Sequence, residues 1–320
     1  MRSGAAFGHV GYFHEAFVYD SEEELLAVAL PFLLDGIAAG EPTAVNLGER
    51  NAELVRRALP TGAEVTFLPV GDVYARPSVA LRSYRELLAS YVAAGAAQIR
   101  MVGELPPVLL GATWDWWARY ESAINHAYDD FPLWGICAYD RRGTPAHVLA
   151  DVARTHPLGA RTDGGHETAG LYTDPTSYLT EFRPAPADPV QRTAPLVELV
   201  DPTPARARAE VRAADRGLLP PDGLDGLVIA VSEVVSNALR HGEPPVYLRL
   251  WRAPDRIVVT VHDRGTGPKD PFAGLLPAGD GSDGGLGLWI SHQSCDHVTY
   301  HRDATGFTIR LTAGNPHFPV

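Results

Sequence analysis

Six prolines fall between positions 184 and 204, at Pro184, Pro186, Pro189, Pro195, Pro202 and Pro204. Each lacks a backbone N–H and fixes its own φ, so neither a helix interior nor a central strand can run through such a stretch. No long helical periodicity crosses it either, and the chain is expected to divide there into two folding units, 1–184 and 196–320, joined by a linker over 185–195. With 320 residues, 45% of them hydrophobic, both units can bury a core.

Before the break, apolar runs alternate with helical periodicity. Strands are expected over 13–19, 43–47, 64–70, 98–102 and 133–139, with helices over 22–39, 49–58, 78–94 and 114–128 between them. That alternation predicts an α/β fold with a mostly parallel sheet covered on both faces. After the break come a strand at 196–200, helices over 204–216 and 224–240, and alternating runs at 246–251, 257–262, 297–300 and 307–311 that read as antiparallel strands. A helix layer on a mixed sheet is expected there. The 204–216 helix suits a homodimer or partner contact, and packing on its own sheet explains it as well.

A net charge of -12 gives no electrostatic footprint for nucleic acid and is compatible with a basic protein partner. Cys137 and Cys295 are the only cysteines, too few for a disulfide framework or a Cys-rich zinc site, and reducing cytoplasm fits them best. The chain opens without a basic segment followed by an apolar core, and its most apolar run, 25–39, is interrupted by Pro31 and Asp35 and is too short to span a bilayer. A cytoplasmic protein with no membrane and no direct nucleic-acid contact is expected.

On the 224–240 helix Leu224, Leu227, Val228, Val231, Val234, Val235 and Ala238 mark one face, and Glu233, Asn237 and His241 recur every fourth residue along another. An Asn oxygen suits a hard cation such as Mg²⁺, and a Glu one turn earlier can orient or deprotonate a hydroxyl. The same stripe suits an ordinary solvated face ending in a His and a glycine. Asp263 closes an apolar run and precedes Gly265 and Gly267, so an acceptor for an adenine amino group would stand at a sheet end where glycines let the backbone approach a flat base. An ordinary Asp-Gly turn has the same composition. Gly284, Gly285 and Gly287 precede a short helix beginning near Leu288, a placement that aims amides at phosphates. Gly279 to Gly284 also matches G-x-G-x-x-G, but Pro277 just before it argues against the strand a dinucleotide fingerprint needs. The intervening segment 268–283 has the Gly, Pro and Asp content of a mobile lid.

The order and spacing of these pieces resemble the GHKL ATPase superfamily, whose Bergerat-type α/β sandwich is shared by gyrase, Hsp90, histidine kinases and the anti-sigma serine kinases of the RsbW and SpoIIAB type. The match covers about 196–313. It implies ATP and Mg²⁺ as cofactors, with Glu233 as base, Asn237 as Mg²⁺ ligand, Asp263, Gly265 and Gly267 around adenine, and Gly285 and Gly287 at the phosphates. His241 and Leu288 are implied as further nucleotide contacts, and Thr308 as the hydroxyl that supports adenine beside Asp263. Histidine kinases carry an acceptor His just ahead of this domain, whereas 184–216 contains none. The resemblance therefore points to the anti-sigma kinases, which bind a sigma factor and phosphorylate a serine of an anti-sigma antagonist. A pseudokinase that uses ATP only to capture a partner, and an ATP-hydrolysing enzyme of the gyrase or Hsp90 kind, are the alternatives.

The opening run GHVGYFHEAFVYDSEEELLAVALPFLLDG, the segment WDWWARYESAINHAYDDFPLWGICAYD and the sequence Thr155-His-Pro157 are similar to the MEDS sensory domain, over roughly 8–183. That resemblance implies a RecA-like parallel-sheet fold; the chain has no G-x-x-x-x-G-K-[ST], so a second ATP site is not expected. MEDS domains coupled to this ATP domain resemble the RsbA-family anti-sigma regulators, which implies that a small-molecule signal at the N-terminal domain controls the C-terminal one. His14, Glu104, Trp117, Glu121, Cys137 and Tyr139 are candidates for a sensor pocket at the strand ends, with core packing as the alternative. His9 and His14 have no third ligand at a metal-binding spacing, so no metal is expected there.

Overall fold

A computed structural model describes residues 2–69, 71–181, 183, 185–277 and 286–318. The chain divides into two compact units, one formed by Met1–Ala75, Val79–Leu110 and Ala118–Tyr178 and the other by Arg76–Ser78, Gly111–Trp117 and Leu179–Val320.

In the first unit β1 (Phe13–Tyr19), β2 (Thr43–Asn46), β3 (Thr66–Phe67), β4 (Ile99–Gly103), β5 (Leu133–Asp140), β6 (Leu158–Ala160) and β7 (His166–Thr168) form a sheet in the order β3-β2-β4-β5-β1-β6-β7. Among the described residues every pairing is parallel except that of β6 with β7. Helices α1 (Glu22–Ala38), α2 (Glu49–Ala58), α3 (Pro77–Ala93), α4 (Trp114–Ala127) and α5 (Ala146–Thr155) alternate with the strands along the chain. The centre strands β1 and β5 are buried along nearly their whole length, as a sheet covered on both faces requires. Helix α1 starts where Ser21 Oγ accepts the N–H of Glu24 at 3.2 Å and three glutamates stand in the first turn, at the positive end of the helix dipole. Its residues Leu25, Val28, Ala29, Phe32 and Leu33 recur at helical spacing and pack in one core with Phe17, Val45, Val102 and Ile136.

Arg100 of β4 is buried in that layer, and every branch of its guanidinium is satisfied. Nε donates to Glu41 at 2.7 Å, Nη1 to the Phe32 carbonyl oxygen at 2.9 Å and Nη2 to Ser3 Oγ at 2.7 Å, with the group 4.7 Å from the Trp134 ring centre. The expected strand over 64–70 reduces to Thr66–Phe67 among the described residues, an edge strand with β2 as its one neighbour. The hairpin of β6 and β7 is a further difference, because strands of three residues are too short to show a period.

In the second unit β8 (Val197–Val200), β9 (Tyr247–Arg252), β10 (Arg256–Asp263), β11 (His297–Asp303) and β12 (Gly306–Gly314) form an antiparallel sheet in the order β11-β12-β10-β9-β8. After α6 (Pro175–Thr180) the remaining helices are α7 (Pro204–Asp215), α8 (Pro221–His241) and α9 (Leu286–Ser294). Leu227, Val231, Val234, Val235 and Ala238 of α8 share a core with Leu248, Leu250, Ile257, Val259 and Val261 of the sheet. Ala207, Val211 and Ala214 of α7 join it, so the apolar face of the 204–216 helix is covered within its own unit. Trp116, at the start of α4, belongs to this unit and this core.

The stretch expected as a linker is partly fastened down. Asp188 starts a 3-10 turn over Pro189–Arg192, accepting the Val190 N–H at 2.9 Å while Gln191 Oε1 accepts the Asp188 N–H at 3.1 Å. The Asp188 carboxylate also accepts from Arg256 Nε and Nη2 of β10, both at 2.8 Å. Burial by itself would raise the Asp188 pKa, but the Arg256 and Val190 donors outweigh it and hold the group below its ordinary value. No helix among the described residues is long and apolar enough to cross a membrane.

Candidate functional site

The second unit carries a cavity of about 620 Å³ between α8 and the ends of β10 and β12, within the range of roughly 300–1,000 Å³ usual for small-molecule pockets. Asn237 and His241 line it from successive turns of α8, Asp263 from the end of β10, Gly267 from the loop that follows, and Leu288 from α9. The four-residue spacing along one helix face and the strand end thus converge on one space.

Asp263 is 6% exposed and is held in place from two sides. Its Oδ1 accepts the N–H of Gly265 at 2.7 Å and that of Glu243 at 3.3 Å. Gly242, at the end of α8, makes room for it: a Cβ there would stand 2.4 Å from the carboxylate carbon. Gly267 has φ +75, and a Cβ on it would meet the Phe307 ring at 2.6 Å, so both conformation and space exclude a side chain. A Cβ on Gly287 would lie 2.8 Å from Glu233 Oε2 and 3.2 Å from Asn237 Nδ2, which places both side chains against the first turn of α9. Glu233 itself is outside the cavity lining.

Thr308, expected beside Asp263, is not among the lining residues. Its hydroxyl lies 2.9 Å from His262 Nδ1, and its neighbours Phe307 and Ile309 line the cavity instead. The pairing register explains this: Asp263 faces Phe307 while His262 faces Thr308, so strand alternation turns Thr308 to the other face. Gly284 and Gly285 lie outside the described residues, as do 278–283 of the lid segment.

The first unit holds a smaller cavity of about 50 Å³ walled by tyrosines, among them Tyr12, Tyr84, Tyr120 and Tyr128, whose hydroxyls are pushed well up in pKa, chiefly by burial. Of the candidate sensor residues, Glu104, Glu121, Cys137 and Tyr139 line it, whereas His14 and Trp117 do not. Burial raises the Glu104 pKa above its ordinary value, against hydrogen bonds from Asn51 and the Gly48 N–H.

Comparison with known proteins matches two stretches of the chain to two families. Residues 13–157 match the family described as MEDS, the MEthanogen/methylotroph, DcmR Sensory domain, and residues 199–313 match the histidine kinase-like ATPase domain. The chain joins a MEDS domain to a histidine kinase-like ATPase domain. Among solved structures, that of the RsbU and RsbW domains of Rv1364c from Mycobacterium tuberculosis is similar at 23% identity and a TM-score of 0.27, over 38% of this chain and 33% of that one. The histidine kinase domain of the E. coli osmosensor EnvZ is similar at 22% identity and a TM-score of 0.24, over 40% of this chain and 94% of that one. This chain therefore spans about a third of the length of the Rv1364c structure. No curated protein matches.

In the ATPase domain, Lys269 lines the cavity and is the one lysine of the whole chain. Sequence reasoning left it inside the lid segment without a role, although one lysine in 320 residues beside a glycine box is a compositional signal. Phe307 and Ile309 were missed as lining residues because parity along β12 is fixed by pairing with β10, which sequence alone does not give.

Proposed function

We propose that this chain is a signal-responsive regulator whose ATPase domain binds Mg-ATP and transfers the γ-phosphate to a serine of an anti-sigma antagonist, sequesters a sigma factor, or does both. One observation carries the reading: Asn237, His241, Asp263, Gly267 and Leu288, scattered over the sequence, line a single cavity of nucleotide size. The donor set suits the ligand. Asp263 offers a fixed acceptor to an adenine amino group, Lys269 a cation to phosphate, and Asn237 a hard oxygen to Mg²⁺, which when bound offsets phosphate charge. In the transfer the serine Oγ bonds to the γ-phosphorus, the bridging P–O bond to the β-phosphate breaks, the serine proton passes to Glu233, and ADP leaves.

Asp263→Asn tests the nucleotide step. The carboxamide oxygen would stay with the Gly265 and Glu243 N–H groups, leaving its NH₂ facing the adenine NH₂, donor against donor. Loss of a charged acceptor is worth about 1.5–3 kcal/mol, so ATP affinity should fall roughly 10- to 150-fold, while a 6-oxo purine nucleotide should lose less or gain. Unchanged ATP affinity in this variant, read by calorimetry, would remove the base from this cavity.

Lys269 supplies an independent reading. As the only lysine, it gives a single side-chain product with an amine-acylating reagent, and saturating Mg-ATP should suppress that product by an order of magnitude in peptide mapping, the N-terminal amine serving as control. Equal labelling with and without nucleotide would place the phosphates elsewhere.

A second reading is a binding module that uses ATP only to capture a partner. Glu233 favours it, because its carboxylate stands beside Gly287 and not in the cavity lining.

A further inference from the structure

His14 of β1, Glu121 of α4, Cys137 of β5 and His156, the residue that ends α5, bring one ligand atom each to within 4.8 Å of one another inside the MEDS domain. His14, Glu121 and His156 are buried and Cys137 is half-buried. From the geometry we infer that these side chains bind a zinc-class divalent cation at the wall of the tyrosine-lined cavity.

The ring nitrogens are set for ligation. Asn125 donates its Nδ2 to the carbonyl oxygens of Glu121, Ser122 and Thr155, at 3.1, 3.1 and 2.7 Å, which turns its Oδ1 toward His14 Nδ1 at 2.9 Å. His14 Nδ1 must then carry the proton, and the Nε2 lone pair points to the cluster, 3.3 Å from Cys137 Sγ. His156 repeats the arrangement: its Nδ1 donates to the Val152 carbonyl oxygen at 2.9 Å, leaving Nε2 as the ligand atom. The Tyr12 ring, stacked on His14 at 4.5 Å, fixes that imidazole further.

Within the cluster, two buried atoms have no hydrogen-bond partner, Glu121 Oε2 and His156 Nε2. They lie 3.3 Å apart without hydrogen-bonding geometry. Orphaned buried polar atoms are costly, and two facing each other across a site are accounted for by an ion between them. Metal–ligand bonds of about 2.0–2.3 Å in a tetrahedron put the ligand atoms roughly 3.3–3.8 Å apart, and both measured separations, 3.3 Å each, fall at that edge length.

Charge agrees with geometry. A thiolate and a carboxylate cancel a divalent charge and two neutral imidazoles complete the set, so a buried site ends with no net charge. A mixed nitrogen, sulfur and oxygen set selects zinc or cobalt over magnesium or calcium. Glu121 and Cys137 also line the tyrosine cavity, so whatever enters it meets the metal's own ligands.

The test uses the full-length protein, stripped with chelator, titrated with Co²⁺ and then Zn²⁺. One Co²⁺ per chain should give four-coordinate ligand-field bands with a thiolate-to-cobalt charge-transfer band, and Zn²⁺ should bleach both. Co²⁺ on oxygen ligands elsewhere gives no thiolate band. Cys137→Ser should abolish that band, and Asn125→Ala, which keeps all four ligands, should weaken Zn²⁺ about 10- to 100-fold. If a variant fails to fold, the wild-type spectrum decides alone. A folded wild-type chain without a stoichiometric thiolate band, or a band that survives Cys137→Ser, overturns the proposal.

Discussion

Replacing Glu233 with Gln should slow phosphate transfer to a serine substrate by about 10²- to 10⁴-fold while leaving ATP affinity near that of the unaltered chain. The substitution keeps size and hydrogen-bonding reach but removes the carboxylate that, in the proposed transfer, would take the serine proton. Binding should persist because Glu233 lies outside the cavity lining, whereas Asn237 and Asp263 lie within it. The assay follows labelled γ-phosphate from ATP to candidate antagonists, with calorimetry on the same samples. Transfer at an undiminished rate by Glu233→Gln would end the base assignment. A chain that binds ATP tightly and labels no antagonist, with or without Glu233, would leave the capture module as the function.

The helix stripe was legible because its signal is local: Glu233, Asn237 and His241 are four apart, and the apolar set on the other face fixes the helix rotation. Asp263 could be placed for the same reason, since an apolar run ending in an acid and two glycines already describes a strand that turns. Thr308 could not, because its face depends on which β10 residue it meets, and register with a strand over forty positions away is a tertiary property. The MEDS cluster is the extreme case. His14, Glu121, Cys137 and His156 come from separate elements, and no pair of them has a spacing that a sequence motif could record. Proline content argues against a helix interior or central strand over 185–195, yet it carries no information about Asp188, whose partner Arg256 is far along the chain.

That ion pair sets the largest stability change expected of one surface-remote substitution. Arg256→Ala strands the Asp188 carboxylate, 1% exposed, with the Val190 N–H as its remaining close donor, and breaking a buried pair in this way costs about 3–5 kcal/mol. Replacing both partners together, Asp188→Leu with Arg256→Met, should cost far less, since no buried charge is left behind. The pH dependence follows from the direction of the shift. With Arg256 present, the folded pKa of Asp188 is held below its ordinary value, so its stabilisation is complete above the unfolded value of about 3.9 and is lost as pH falls through the folded one. Without Arg256, burial dominates and raises that pKa, and protonation then relieves the stranded charge. The gap between the two proteins in urea unfolding should therefore be widest near neutral pH and should narrow as pH falls toward the carboxylate range. A gap that is small at neutral pH, or one that widens in acid, would mean that the segment around Asp188 is not fastened to β10 by this pair.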